Sequence, residues 1–234
     1  MKRYSQFSEQ DYILQAFPDP NELNSFLKTG RFLDIGSWDT VTFSNTRALY
    51  ELGWAGVMIE PSPGPLVEML RCCTKCATPI DDREHEPWGK RKQPECRVCG
   101  GTRYGFEKRI TFVAAAVGLE PGFVSIDVTD DALSTSDVGS REKWDALGGF
   151  YGTLMVPVIT LEDIGNRFGG FDFINIDVEG HSTDLLLKML ELDWQPSCIV
   201  VETDGRDAAI LAAATPKHYS CVYGNGQNIV LVRK

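Results

Sequence analysis

Short apolar runs rich in β-branched residues recur from residue 31 onward, with stretches of helical spacing between them. Runs of this length, bounded by turn residues, predict buried strands, and their alternation with helical patterns predicts βαβ units around a parallel sheet. Strands are expected at 31–35, 55–60, 110–117, 171–177 and 197–203. "SNTRALYELG" and "STDLLLKMLELD" open on cap-forming Ser or Thr, and the first runs into Gly53, so both predict amphipathic helices. "GPLVEML" starts a third. "AAAVGLEPGFVSIDV" predicts a strand, a Pro-Gly turn and a second strand, whereas "DDALSTSDVGSREKWDALGGFYG" has weak periodicity and predicts a loop. The C-terminal "YSCVYGNGQNIVLVRK" predicts two alternating strands around "GNGQN", a hairpin. The expected class is α/β, a mostly parallel sheet finished by an antiparallel hairpin.

At 234 residues the chain suits one α/β domain with an elaboration. The N-terminus lacks the apolar core of a signal peptide and no stretch is long enough to span a bilayer, so a cytoplasmic protein without a membrane partner is expected. The net charge is −10, which disfavours whole-surface binding to nucleic acid. It is unevenly spread: from Arg71 to Arg109 there are ten Lys or Arg against six Asp or Glu, a local +4 that leaves −14 on the remainder.

That basic segment carries the sharpest local motif. Cys73-x-x-Cys76 and Cys96-x-x-Cys99, nineteen residues apart, have the spacing of a tetrahedral zinc site, with Cys72 as an alternative to Cys73. Four thiolates close the coordination shell, so the expected Zn2+ is structural and would fold a ribbon too small for a core of its own. The expected organisation is a main domain of residues 1–71 and 106–234 interrupted by a zinc-ribbon-like insert at 72–105. Within the insert, "GKRKQ" is either a solvated loop or a contact for an acidic or phosphate-bearing partner. Cys198 and Cys221 fall in predicted strands and are expected to be buried fillers.

Five blocks together carry a resemblance: "SQFSEQDYIL", "GRFLDIGSWDTVTFSNTRALYELGWAGVMIEPSP", "FVAAAVG", "VPVITLEDI" and "FDFINIDVEGHSTDLLLKML". In order and spacing they resemble the FkbM-type methyltransferase family over nearly the whole chain apart from residues 72–105. The resemblance implies a Rossmann-like fold that uses S-adenosylmethionine (SAM) to methylate, commonly, a hydroxyl oxygen of a sugar or natural product. Thr40 stands where the family usually shows glycine, and the cysteine insert is not a general family feature.

Ligands of open α/β sheets collect beyond the carboxyl ends of the strands, so Asp34, Glu60, Ala116 and Asp177 are expected to border one crevice. "DIGSWDT" lacks the G-x-G-x-x-G spacing that grips a pyrophosphate, which argues against a dinucleotide. SAM instead offers an ammonium, a sulfonium and ribose hydroxyls. Asp34 is expected to attract the ammonium, Gly36 and Ser37 to bring backbone close, and Glu60, shaped by Pro61 and Ser62, to accept the ribose hydroxyls. The resemblance also places Asp39, Ser44 and Asn45 near the cofactor, although Ser and Asn serve equally as helix caps.

At the reacting end stand Asp177, Glu179 and His181. His181 is the leading candidate to accept the acceptor's hydroxyl proton, oriented by Asp177 or Glu179. The plainer alternative has His181 beginning the next helix and Asp177 touching only the cofactor. Three classes of function follow: a small-molecule O-methyltransferase, a nucleic-acid- or protein-directed methyltransferase guided by the ribbon, and a binding protein that keeps the fold without catalysis.

Overall fold

The computed structural model describes residues 2–18, 29–38, 40, 42–65, 109–128 and 152–234. Its strands are β1 Arg31–Ile35, β2 Ala55–Ile59, β3 Ile110–Val113, β4 Ala116–Val117, β5 Gly122–Val128, β6 Gly152–Ile159, β7 Phe173–Ile176, β8 Cys198–Glu202, β9 Tyr219–Gly224 and β10 Asn228–Arg233. Its α-helices are α1 Glu9–Gln15, α2 Arg47–Glu51, α3 Leu161–Phe168, α4 Ser182–Glu191 and α5 Asp207–Ala214.

Seven strands form the main sheet in the order β3-β2-β1-β7-β8-β10-β9. Pairing is parallel from β3 to β8, and β10 runs antiparallel to both β8 and β9. The expected hairpin is therefore present, with its second strand inside. The reason lies in the two sequences: "NIVLV" of β10 is apolar on both faces and is buried over Asn228–Leu231, while "YSCVYG" of β9 alternates and takes the edge.

Alternation along the strands divides the core in two. Leu33, Ile35, Val57, Ile59, Ile174, Ile176, Ile199 and Val201 pack beneath α3, α4 and α5 through Leu161, Ile164, Leu185, Met189 and Ile210. Phe32, Met58, Phe173, Cys198, Val200 and Val230 face the other way, onto Ile13, Phe17, Leu49 and Trp54. Each aliphatic side chain buried this fully contributes about 1.5–3 kcal/mol. Glu9 is 0% exposed and accepts hydrogen bonds from Phe7 N, Asn225 Nδ2 and Asn228 Nδ2, which fastens α1 to the β9–β10 turn. α3 starts at a capping box of Thr160 and Asp163.

Four expectations change. The single strand at 110–117 is two: the chain leaves the main sheet after Val113, and Ala116–Val117 joins a three-stranded sheet ordered β4-β6-β5. An apolar run fixes extended backbone but not which sheet receives it. The segment after the Pro-Gly turn, β5, pairs antiparallel with β6 and not with β4, and β6 itself was not expected. Cys198 is buried, but Cys221 is exposed because β9 is an edge strand. The "GPLVEML" helix beyond residue 65, residues 130–151 of the expected loop and the whole 72–105 insert lie outside the described residues. Among those described, no helix is long and apolar enough to cross a membrane.

Candidate active site

Ile35, Ile59 and Ile176 end β1, β2 and β7 nearly level, with Val201 of β8 opposite Ile176, so the residues that follow them share one rim. Gly36 N and Ser37 N donate to Ile59 O at 3.0 and 3.2 Å, and Asp177 N donates to Ile35 O at 3.0 Å. The Gly36 backbone thus passes between the tips that carry Glu60 and Asp177. A Cβ on Gly36 would stand 1.8 Å from Asp177 O, and its φ of +77° lies in the left-handed region. Glycine is needed here for the crossing with β7, a constraint nearer at hand than the expected approach to a ligand.

Asp34 is 3% exposed, and both its oxygens are engaged: Thr46 Oγ1 donates to Oδ2, and Asn175 Nδ2 donates to Oδ1 at 2.9 Å. Asn175 Oδ1 in turn accepts from Asn45 Nδ2 at 2.9 Å. Burial pushes the Asp34 carboxyl above its ordinary range, and the Thr46 and Asn175 donors partly offset this. Among the described residues, the chain of bonds leaves Asn45 Oδ1 buried without a partner, and the Thr40 hydroxyl is likewise buried and unpartnered. Ser44 Oγ accepts at 3.0 Å from the N–H of Arg47, the first residue of α2, whose N-cap position is Thr46.

Glu60, 6% exposed, accepts from Trp38 N at 2.9 Å and from Ser62 N at 2.7 Å. Burial raises its pKa, against the lowering effect of these backbone donors. Glu60 therefore clamps the loop after β1 to the turn after β2, with Pro61 partly buried and Ser62 buried between them. With the Ser62 side chain as a third partner, the carboxylate keeps one lone pair for a ligand hydroxyl.

The tips of β7 and β8 are different. Asp177 is exposed at the tip of β7, and its pKa is raised by desolvation within the crowded rim, then by the charges of Glu179 and Asp34. The pKa of Glu202, at the end of β8, is raised by burial and by the nearby charges of Asp177, Glu179 and Asp204. Ser182 Oγ lies 3.4 Å from Glu202 Oε2, and Gly180 N donates to Asp204 Oδ1 at 3.2 Å. His181 is exposed at the N-cap position of α4, where its side chain makes no cap hydrogen bond. Among the described residues no group of three His, Cys, Asp or Glu could hold a metal ion.

Asp34, Gly36, Ser37, Glu60 and Asp177 are thus gathered on one rim, with Ser44 and Asn45 behind it and Glu179 and His181 beside it. Ala116 opens β4 in the smaller sheet, opposite Val158, and does not end a main-sheet strand. Asp39, Cys73, Cys76, Cys96 and Cys99 lie outside the described residues. Thr46, Asn175, Glu202 and Asp204 were not anticipated. "VVETDG" has the acid-after-apolar-run pattern that pointed to Asp34 and Glu60, and "FINID" has a polar residue inside a buried run.

A parallel sheet closed by one reversed inner strand, with carboxylates at its tips, defines a Rossmann-like methyltransferase fold. The model of the Methyltransferase FkbM domain matches residues 34–211, and the chain belongs to the FkbM methyltransferase family. A crystal structure of methyltransferase FkbM from Methylobacillus flagellatus KT is similar at 13% identity and a TM-score of 0.47, over 95% of this chain and 50% of that one. The chain therefore spans about half the length of that protein. Comparison with curated proteins gives no match.

Proposed function

We propose that the protein is a SAM-dependent methyltransferase that acts on a hydroxyl group of a sugar, natural product or other small molecule. Family membership supports methyl transfer, and the observation that carries the cofactor is the rim itself: Asp34, Glu60 and Asp177 at the tips of three adjacent parallel strands. These acids and the unpartnered Asn45 Oδ1 form an acceptor-rich set, which suits ammonium, sulfonium and hydroxyl groups and does not suit a pyrophosphate.

Glu60, with Pro61 and Ser62, would take the ribose hydroxyls. Asp34, Ser37, Asp39, Ser44 and Asn45 would serve the ammonium end, and Asp177, Glu179 and His181 the reacting end. The cofactor supplies a methyl group already activated on a positive sulfur, so the protein is left to orient the acceptor and take its proton.

Calorimetric titration with SAM tests this. Micromolar binding is expected, weakened at least roughly tenfold by Glu60→Ala through loss of a charged hydrogen bond. An absence of heat with the wild-type chain under reducing conditions rejects the reading. For the 72–105 insert the paired C-x-x-C sequence supports a structural zinc held by Cys73, Cys76, Cys96 and Cys99 and a basic face for an acidic or phosphate-bearing partner. Metal analysis should find zinc in the wild type and lose it in a Cys96→Ser, Cys99→Ser double variant. A cytoplasmic setting, in which those thiols stay reduced, belongs to the same proposal.

A further inference from the structure

β7 and β8 run in register from Phe173 opposite Cys198 to Ile176 opposite Val201, which makes Asp177 and Glu202 neighbours at the rim. Alternation sends both side chains to the sheet face that also carries Asn175 and Val200. Each carboxyl group is pushed above its ordinary range, first by desolvation and then by neighbouring acids that include Glu179 and Asp204. Like charges side by side at the ends of paired strands disfavour double ionisation, so the pair favours holding one proton between the two groups.

The surroundings favour keeping that proton. Asp34 faces the pair from β1, Glu179 from the turn after β7 and Asp204 from the turn after β8. His181 stands nearby at the start of α4, and Arg206, beyond Asp204, is committed to Asp184 at 2.7 Å. An independent observation concerns the same floor of the crevice. Asn45 is 6% exposed, its Oδ1 has no partner among the described residues, and it is chained through Asn175, two residues before Asp177, to Asp34. An orphaned acceptor beside crowded acids calls for a ligand that brings donors and positive charge.

We propose that Asp177 and Glu202 work as one carboxyl pair that holds a single proton, with Asp177, the member open to the crevice, as the group that takes the acceptor's proton and Glu202 as its positioning residue. The inference rests on the methyltransferase reading above. Glu202, half-buried beside the exposed Asp177, keeps the shared proton on its own oxygen and leaves the charge on Asp177. A cation bound against the pair favours its ionised form, so binding of SAM expels part of that shared proton to solvent. During transfer the acceptor O–H breaks and its proton goes to Asp177. The oxygen's electron pair forms the new bond to the methyl carbon, and the pair of the broken C–S bond stays on sulfur.

Two measurements on the full chain test the pair. The first is a carbon-detected NMR titration of protein labelled with 13C in its Asp and Glu side chains. The wild type should show one carboxyl step well above about pH 5 that belongs to two coupled groups. That upper step should vanish in Glu202→Gln and equally in Asp177→Asn. Wild-type carboxyls that all titrate below about pH 5, or an upper step that survives both variants, would overturn the proposal.

The second is calorimetry of SAM and of S-adenosylhomocysteine in buffers of different ionisation enthalpy near pH 7.5. SAM should release a fraction of a proton and the uncharged thioether less. Release should be lost in Glu202→Gln and kept in His181→Ala, and the reverse pattern would assign the proton to His181 and sink the pair. If SAM does not bind the wild type at all, the methyltransferase reading fails, while the NMR titration still decides whether the pair exists.

Discussion

At the tip of β1, Asp34 is 3% exposed and its oxygens are taken by Thr46 and Asn175, whereas at the tips of β7 and β8 Asp177 stands open to the crevice among Glu179, Glu202 and Asp204. Burial raises the pKa of both acids. At Asp34 the rise is opposed by neutral donors, as in any well-satisfied buried carboxyl. At Asp177 it is reinforced by the like charges of Glu179, Asp34 and Asp204. The first tip is an acid whose charge is already satisfied by donors within the fold. The second is a cluster of like charge, the arrangement that a cationic group favours most.

The comparison breaks most severely where the two tips touch. Gly36→Ala puts a methyl 1.8 Å from Asp177 O at a backbone φ of +77°, and no flexible side chain is there to move aside. A loss on the order of 3 kcal/mol or more is expected, read as a lower midpoint in urea. A loss under about 1 kcal/mol would mean that the tips can part without cost and are not one rigid rim.

Asn175→Leu attacks the first tip alone. It keeps the apolar volume but strips Asp34 Oδ1 of its donor and Asn45 Nδ2 of its acceptor, with both left in a buried setting. About 2 kcal/mol of destabilisation is expected in the same assay. A neutral result would show that water enters to replace the amide, and Asp34 would then be as open as Asp177.

The second tip shows itself through pH. The folded pKa values of Asp177 and Glu202 lie above their unfolded ones, so between the two the folded state binds more protons than the unfolded state. The stability they contribute is whole below about pH 4 and is lost as pH rises through the folded values. Asp34 and Glu60, also raised, add in the same direction. The wild-type midpoint should therefore fall from mildly acidic to mildly alkaline pH, and Glu202→Gln should flatten that fall and raise the midpoint on the alkaline side. A variant curve parallel to the wild type would show that the acids do not feel one another.

How much of this was legible in the sequence follows from the range of the interactions. β1, β2, β7, β8 and the terminal hairpin stand within two residues of where their apolar runs placed them, because a buried strand must be apolar locally. β6 escaped notice because "GTLMVPVI" lacks clean alternation and contains Pro157, which argues against an inner strand. The structure tolerates that proline because β4 pairs only with Val158 and Ile159, so the missing N–H falls beyond the short neighbour. Asp34, Glu60 and Asp177 could be read from acids that end apolar runs. Their partners could not: Asn175 lies 141 residues from Asp34, and Glu202 meets Asp177 only because β7 and β8 are adjacent in the sheet.

The smallest expected effect separates His181 from its neighbour Ser182. His181 is exposed and makes no cap bond, while Ser182, 0% exposed, accepts from Val178 N at 2.8 Å and lies 3.1 Å from Val178 O. The turn that carries Asp177 and Glu179 into α4 is thus held by the serine. Ser182→Ala should cost about 1 kcal/mol, as removal of a helix-terminal hydroxyl does, and His181→Ala should stay within about 0.5 kcal/mol. With stability unchanged, any effect of His181→Ala on the pH dependence of methyl transfer belongs to chemistry at the rim. If His181→Ala instead destabilises the chain as much as Ser182→Ala does, the histidine is part of the scaffold, and its proximity to the acid cluster carries no catalytic meaning.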